Sequence, residues 1–410
     1  MYNLSLFKRG GIKLFTDLDI DFNIVNFTPS DNLCLLVGHI DDEIEWKYQI
    51  NEHFDRFSII ALVNGVALYA PLSGVLEKNY IYDFKGKDCL FCSIKVDKEQ
   101  PPTFPVLNVE NEPTDIFTLK QLAFDASITD DYKKQLFYET LSSTKVYRKI
   151  ILNCCDDEPY VLSKTAMLLN YKDEVVAGFK IIADALDISK REIFTFKNFI
   201  TNKYFKNNVE GIKVSKRHMH YPINALLLKY EALEKALIVT PEICKAIYRA
   251  AVFKEPFTNK VVSVWGDSLL KPQILDLPLG TPVNDILKRC EADKNITKVV
   301  ASGVISGYLT APYLPITRYD SSITVIKDVS VLKQNECINC GKCLDVCPVG
   351  LAPCYILQKP FKIGESRFFK TFKYCIECGC CSYVCPANIP LKTYIKSYNS
   401  QSKKVQDEQD

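Results

Sequence analysis

The strongest constraint on this chain is a duplicated cysteine run near its C-terminal end. It reads CINCGKCLDVCP from Cys337 and CIECGCCSYVCP from Cys375. Each copy is C-x2-C-x2-C-x3-C-P, a spacing that wraps three thiolates around one cubane and sets the fourth back by a helical turn. In chains with two such runs, the fourth cysteine ligates the cluster of the other run. The spacing therefore predicts two [4Fe–4S] clusters. One takes Cys337, Cys340, Cys343 and Cys385; the other takes Cys375, Cys378, Cys381 and Cys347. Gly341 and Gly379 let the backbone fold tightly around the sulfurs. Pro348 and Pro386 turn the chain after the fourth ligand. Zinc is the competing reading, but zinc sites pair C-x2-C hooks across a longer loop.

Composition limits what the rest can be. At 410 residues the chain has room for about three domains. A 47% hydrophobic and 24% charged content is that of an ordinary globular protein. The net charge of +2 implies no nucleic-acid partner. The opening MYNLSLFKRGGIKLF has no apolar signal core. Of 17 cysteines, eight are assigned to clusters that need reduced thiolates. A reducing cytoplasm is expected, in an anaerobe, with any membrane contact peripheral. The uncharged stretches Phe57–Leu76 and Val299–Ile316 are broken by Gly and Pro, so they read as strands and turns.

In chain order, residues 1 to about 100 read as a small β sandwich or barrel, from segments such as LCLLVGHI, FSIIALVNGVALYA and CLFCSIKV. Cys89 and Cys92 on one strand would point to opposite faces and read as buried structural thiols. EQPPTFPVLNVENEP is a linker by composition. From about 114 to 250 strands alternate with helices. TDIFTLKQLAFDA is a helix capped by Thr114 or Asp115, VYRKIILNCC and REIFTFKNF are strands, and KDEVVAGFKIIADALDI is an amphipathic helix. That alternation predicts a parallel, doubly wound sheet of the nucleotide-binding kind. Yet no glycine occurs between Gly86 and Gly178, so the loop a phosphate needs is missing. The acidic segment NCCDDEPY sits where a strand should end. Asp156, Asp157 and Glu158 there could hold a flavin or a ribose, or form a solvated loop capping the next helix. His218 and His220 form an H-x-H pair, read as surface residues. Residues 258 to 330 read as β with one helix, opened by Thr281 and Pro282, and QSKKVQDEQD is a polar tail.

With these motifs placed, the chain resembles the C subunit of the Rnf ferredoxin:NAD oxidoreductase complex. That family includes the corrin reductase of propanediol-utilisation microcompartments and a proline-reductase-associated electron-transfer protein. CIECGCCSYVCPANIPL and CINCGKCLDVCPVGL carry the resemblance. FKRGGIK, VGHI with APLSGVL, NCCDDEPYVLSKTAMLL and VVSVWGDSLLKPQILDLPLGTPVNDIL extend it. The resemblance implies a multidomain α/β and α+β protein. Its order would be a lipoyl-like barrel-sandwich domain (1–104), a Rossmann-like FMN/NADH domain (105–257), an SLBB-like β-grasp module (258–330) and a two-cluster ferredoxin-like α-helical domain (331–398), then a tail (399–410). Where the family carries G-x-G-G-x-G-F-P, this chain has DASITDDYKKQLF, and ALIVTPE shortens an Asn-rich segment. Asn153, Asp156 and Glu158 match the acidic motif as a remnant flavin site, with FMN binding doubted. The expected function is electron transfer between a redox partner (flavoprotein, ferredoxin or reductase) and a reductase, on or off a membrane complex. Alternatives are an FMN-dependent NADH dehydrogenase, a corrin- or proline-reductase-linked reductase, and a docking scaffold for a ferredoxin head.

Overall fold

The computed structural model describes residues 21–29, 31–141, 146–156, 158–196, 205, 207–217, 221–293, 296, 298–327, 333–357 and 369–407. The first twenty residues, Asp157, His218 and His220 lie outside the described residues. The architecture is mixed α/β with several sheets.

Strand β1 (Ile24–Asn26) is followed by β2 (Asn32–His39), β3 (Ile44–Trp46), β4 (His53–Phe54), β5 (Ile59–Val63), β6 (Val66–Tyr69), β7 (Gly74–Asp83) and β8 (Asp88–Val96). Strands β2, β8, β7 and β4 form one antiparallel sheet, and β3, β5 and β6 a second. Alternating residues such as Leu33, Leu35, Ile60, Leu68, Cys92 and Ile94 fill the space between them. Both Cys89 and Cys92 are buried on β8, and the pleat sends them to different clusters on opposite faces. Strand β1 does not join these sheets. It pairs in parallel with β17 (Gln273–Pro278), so the chain's early residues complete the sheet of a much later segment.

The central segment runs through α1 (Ile116–Asp125), β9 (Thr129–Asp130), β10 (Gln135–Leu136), α2 (Phe137–Leu141), β11 (Lys149–Asn153), α3 (Ser163–Asn170), α4 (Lys172–Ala185), β12 (Arg191–Phe196), β13 (Asn208–Val209), β14 (Ile212–Arg217), α5 (Ile223–Glu234), β15 (Ala236–Val239) and α6 (Pro241–Tyr248). Asp115 caps α1 in a reciprocal box with Thr118. Thr240 caps α6 ahead of Pro241. The sheet order is β13-β14-β12-β11-β15, parallel except for edge strand β13. Helix α4 buries Val175, Val176, Phe179 and Ile182 as its spacing predicts. It packs directly on α6. A Cβ on Gly178 would stand 1.8 Å from the Cys244 carbonyl oxygen, so only glycine permits this approach. The linker is pinned rather than loose: the Val106 and Leu107 amides donate to the Lys254 carbonyl, and Leu107 is buried.

A six-stranded mixed sheet of order β1-β17-β16-β20-β18-β19 follows, with β16 (Asn259–Gly266), β18 (Lys298–Ala301), β19 (Tyr308–Thr310) and β20 (Ser322–Ile326). Helix α7 (Val283–Arg289) packs Val283, Ile286 and Leu287 against it. The cysteine runs come last, with short helices α8 (Lys342–Asp345) and α9 (Cys380–Tyr383), then α10 (Leu391–Asp407). Among the described residues, no helix is long and apolar enough to cross a membrane.

Candidate functional site

The two cysteine runs repeat one backbone shape. Asn339 and Glu377 have φ of 54° and 53°, and Gly341 and Gly379 have φ of 75° and 78°. Each glycine then opens a four-residue helix, α8 or α9. Left-handed residues at these two places curl the chain so that successive thiols face inward.

The fourth cysteine of each run meets thiols of the other run. Cys347 lines one cavity with Cys375, Cys378 and Cys381, closed by Leu351, Ile395 and the stem of Lys392. Cys385 packs with Cys337 and Cys343, and with Cys381 of its own run, against Ala387, Ile389 and Leu391. Cys340 is exposed at the edge of that second set. Backbone amides aim at the sulfurs: Leu351 donates to Cys347 Sγ at 3.1 Å and Glu377 to Cys375 Sγ at 3.4 Å. Burial pushes the Cys375 thiol up to about 11, and those of Cys381 and Cys343 to about 12. Alone these groups stay protonated near neutral pH; a bound metal would have to displace the protons.

A single metal ion gathers its ligands around one point. A cubane gives each thiolate its own iron, so the sulfurs stand further apart. Among the described residues, no three His, Cys, Asp or Glu side chains gather around one point. Four thiols line one cavity, and Cys337, Cys343 and Cys385 gather beside it with Cys381 shared between the two groups.

The two sets differ in surroundings. The Cys337 side is open, with Ile338 67% exposed beside it. The Cys375 side faces the rest of the chain: Tyr221 donates its hydroxyl to the Cys378 carbonyl at 2.5 Å, and Tyr221 and Cys380 are buried together.

The sheet of the central segment has its own candidate crevice. The chain runs outward from β11 to β12 and β14, then returns to place β15 on the other side of β11. Ligands in such sheets bind at the carboxyl ends of the strands where this reversal occurs. Those ends lead into Cys154–Tyr160 and Thr240. Here the expected solvated loop is corrected: Asn153, Asp156 and Glu158 are 0%, 7% and 8% exposed. Asp156 accepts the Lys164 and Thr165 amides at 3.0 and 2.7 Å, so it caps α3. Burial still pushes its carboxyl up to about 6. Glu158 reaches the other sheet, accepting the amides of Ile305 and Ser306 at 2.8 and 3.1 Å. Asn153 accepts the Cys155 amide, while its Nδ2 is a buried donor without a partner among the described residues.

The rest of the crevice is filled by ion pairs. Asp131, from the glycine-free loop, accepts the Thr240 hydroxyl. Lys260 is buried on β16 and paired with Glu242 of α6. Burial alone would drive Lys260 neutral, but the carboxylates of Glu242 and Asp131 outweigh it and hold its ammonium above the ordinary lysine value. Burial would likewise raise Asp131, and Lys260 and Lys164 outweigh it.

Two residues near the thiols went unread in the sequence. Cys354 hydrogen-bonds Cys343, and Lys392 reaches the Cys378 loop. A leftover cysteine seven residues after Cys347 was a visible signal for the first; nothing marked the second.

Comparison with known proteins converges on these runs. A family model described as a 4Fe-4S binding domain matches residues 331–351, the first run. The C subunit of the ion-translocating oxidoreductase complex of Vibrio cholerae is 29% identical over 242 residues, covering 52% of this chain and 30% of that protein. The C subunit of the proton-translocating ferredoxin:NAD(+) oxidoreductase complex of Clostridium ljungdahlii is 27% identical over 227 residues, covering 50% of this chain and 49% of that protein. The chain is similar to these C subunits, at 27–29% identity over about half of its length. The match over the first run marks it as an iron–sulfur protein. The matched part of this RnfC-like chain spans about a third to a half of those curated relatives. A solved NAD+-reducing [NiFe]-hydrogenase aligns with a TM-score of 0.45 at 13% identity, covering 72% of this chain and 64% of that one; at that level it carries no argument.

Proposed function

We propose that this RnfC-like chain is an electron-transfer subunit that holds two [4Fe–4S] clusters and relays electrons between protein partners. The observation that carries the reading is the crosswise gathering of thiols, Cys347 with Cys375, Cys378 and Cys381, and Cys385 with Cys337 and Cys343. When bound, each cubane stores and releases a single electron. The residues do the rest. Apolar side chains such as Leu351, Ile389 and Ile395 exclude water, and amide donors to sulfur favour the reduced, more negative cluster. The exposed Cys340 edge is the point where a partner protein exchanges electrons. The Cys375 set is the inner relay, against Tyr221 and the turn at Ile305.

FMN does not fit the described crevice. Asp156 and Glu158 are committed to backbone amides, and Asp131, Lys260 and Glu242 neutralise one another where a phosphate would need free donors. No step through a flavin is derived. The barrel-sandwich, Rossmann-like and β-grasp modules then serve to seat the cluster domain on its partners, peripheral to a membrane complex in the cytoplasm. The partners are redox proteins of a larger oxidoreductase assembly, as the relatives' names suggest. The test is iron, sulfide and flavin content after anaerobic purification. About eight irons per chain without flavin supports the relay; one FMN per chain with NADH oxidation sinks it in favour of a dehydrogenase.

A further inference from the structure

Lys392 is the second residue of α10 and is half-buried. Its stem lines the cavity formed by Cys347, Cys375, Cys378 and Cys381. Its ammonium lies 3.2 Å from the Ser306 carbonyl and 3.4 Å from that of Ile305. Among the described residues it makes no ion pair with a carboxylate. The neighbouring Lys396 differs, because Glu377 neutralises it at 3.1 Å. Lys392 is thus a net positive charge beside one thiol set and not the other.

The turn that holds Lys392 is itself held from behind. Its amides donate to Glu158, and its carbonyls accept from Lys392. A carboxylate on the N–H side and an ammonium on the C=O side polarise the intervening peptides in the same sense. Gly303 leaves room for the carboxylate, since a Cβ there would stand 2.2 Å from Glu158 Oε2.

We infer that Lys392 is a positioning residue that raises the reduction potential of the inner cluster alone, and that the Glu158-held turn fixes the distance at which it acts. This rests on the two-cluster reading above. A unit charge within about 10 Å, through an effective dielectric of about 20, changes a one-electron equilibrium roughly tenfold.

The experiment is an EPR-monitored redox titration of the anaerobically purified full chain. In Lys392→Gln, one of two cluster signals should shift to lower potential by about tenfold in its reduction equilibrium, 59 mV for one electron, while the other stays. Lys392→Arg should restore the native value. Iron content must match wild type throughout. Full iron with neither signal moved, both moved equally, or Arg behaving as Gln overturns the role of Lys392. A wild-type chain without two cluster signals overturns the cluster reading itself, and this inference with it.

Discussion

The sharpest consequence of the crosswise arrangement concerns Cys347. It belongs by sequence to the first run, yet it lines the cavity of the second run's three thiols. Replacing it with alanine should therefore empty the inner site and spare the outer one. On the two-cluster reading proposed above each site would hold four irons, so the iron content should fall from about eight to about four per chain. Single substitutions alone do not tell which site was lost, but pairs do. Cys347→Ala with Cys378→Ala touches one site twice and should keep about four irons. Cys347→Ala with Cys337→Ala touches both and should leave close to none. Cys385 provides the mirror case: with Cys337→Ala it should keep one cluster, with Cys378→Ala it should keep none. Iron and sulfide analysis on anaerobic protein reads the counts, and EPR of the reduced chain reads which signal survives. If Cys347→Ala with Cys337→Ala retained a full cluster, each run would be holding its own fourth ligand and the reasoning would be wrong.

The remaining expectations concern the scaffold. Gly178→Ala normally gains up to about 1 kcal/mol inside a helix, but here the added carbon meets the Cys244 carbonyl; thermal unfolding should show a net loss of about 1–3 kcal/mol. Burial pushes the Asp156 carboxyl up to about 6 in the folded chain, from an ordinary 3.8. Its folded state therefore binds the proton more tightly, so its contribution rises as pH falls from 6 toward 4, by about 3 kcal/mol at most. Urea titrations at several pH values should show that slope, and Asp156→Asn should flatten it. Glu242→Gln leaves Lys260 buried without its main counter-charge and should cost roughly 3–5 kcal/mol, whereas the double change to Glu242→Leu and Lys260→Met should recover most of it. If the single variant proved as stable as wild type in urea, the pair would not be what fills the crevice.

Legibility followed the range of the interaction. The cysteine runs, the Asp115 cap and the stripe of Val175, Val176, Phe179 and Ile182 are local patterns, and the structure realises them within a turn or two. The opposite facing of Cys89 and Cys92 follows from the strand period alone. What the sequence hid was non-local. β1 finds its partner about 250 residues later, across the whole central segment, and three residues carry too little pattern to announce it. Glu158 meets its turn 147 residues on. Lys260 reads as the polar start of a strand, and only the arrival of α6 with Glu242 turns it into a buried charge.

The crevice shows why an acidic motif alone is a poor guide to a ligand. A phosphate site needs backbone amides that are free, and an acid-rich loop needs donors of its own. In this chain the two demands have been set against each other. With no glycine loop offering amides, the carboxylates of Asp156 and Glu158 take the nearest ones, at the start of α3 and in the turn at Ile305. Buried polar groups must be satisfied whichever partner is available, and here the carboxylates are satisfied by the chain's own backbone amides. Glu158 then grips the same turn that Lys392 holds from the cluster side. The residues most suggestive of a flavin in the sequence thus end as the joint between the central sheet and the inner thiol set.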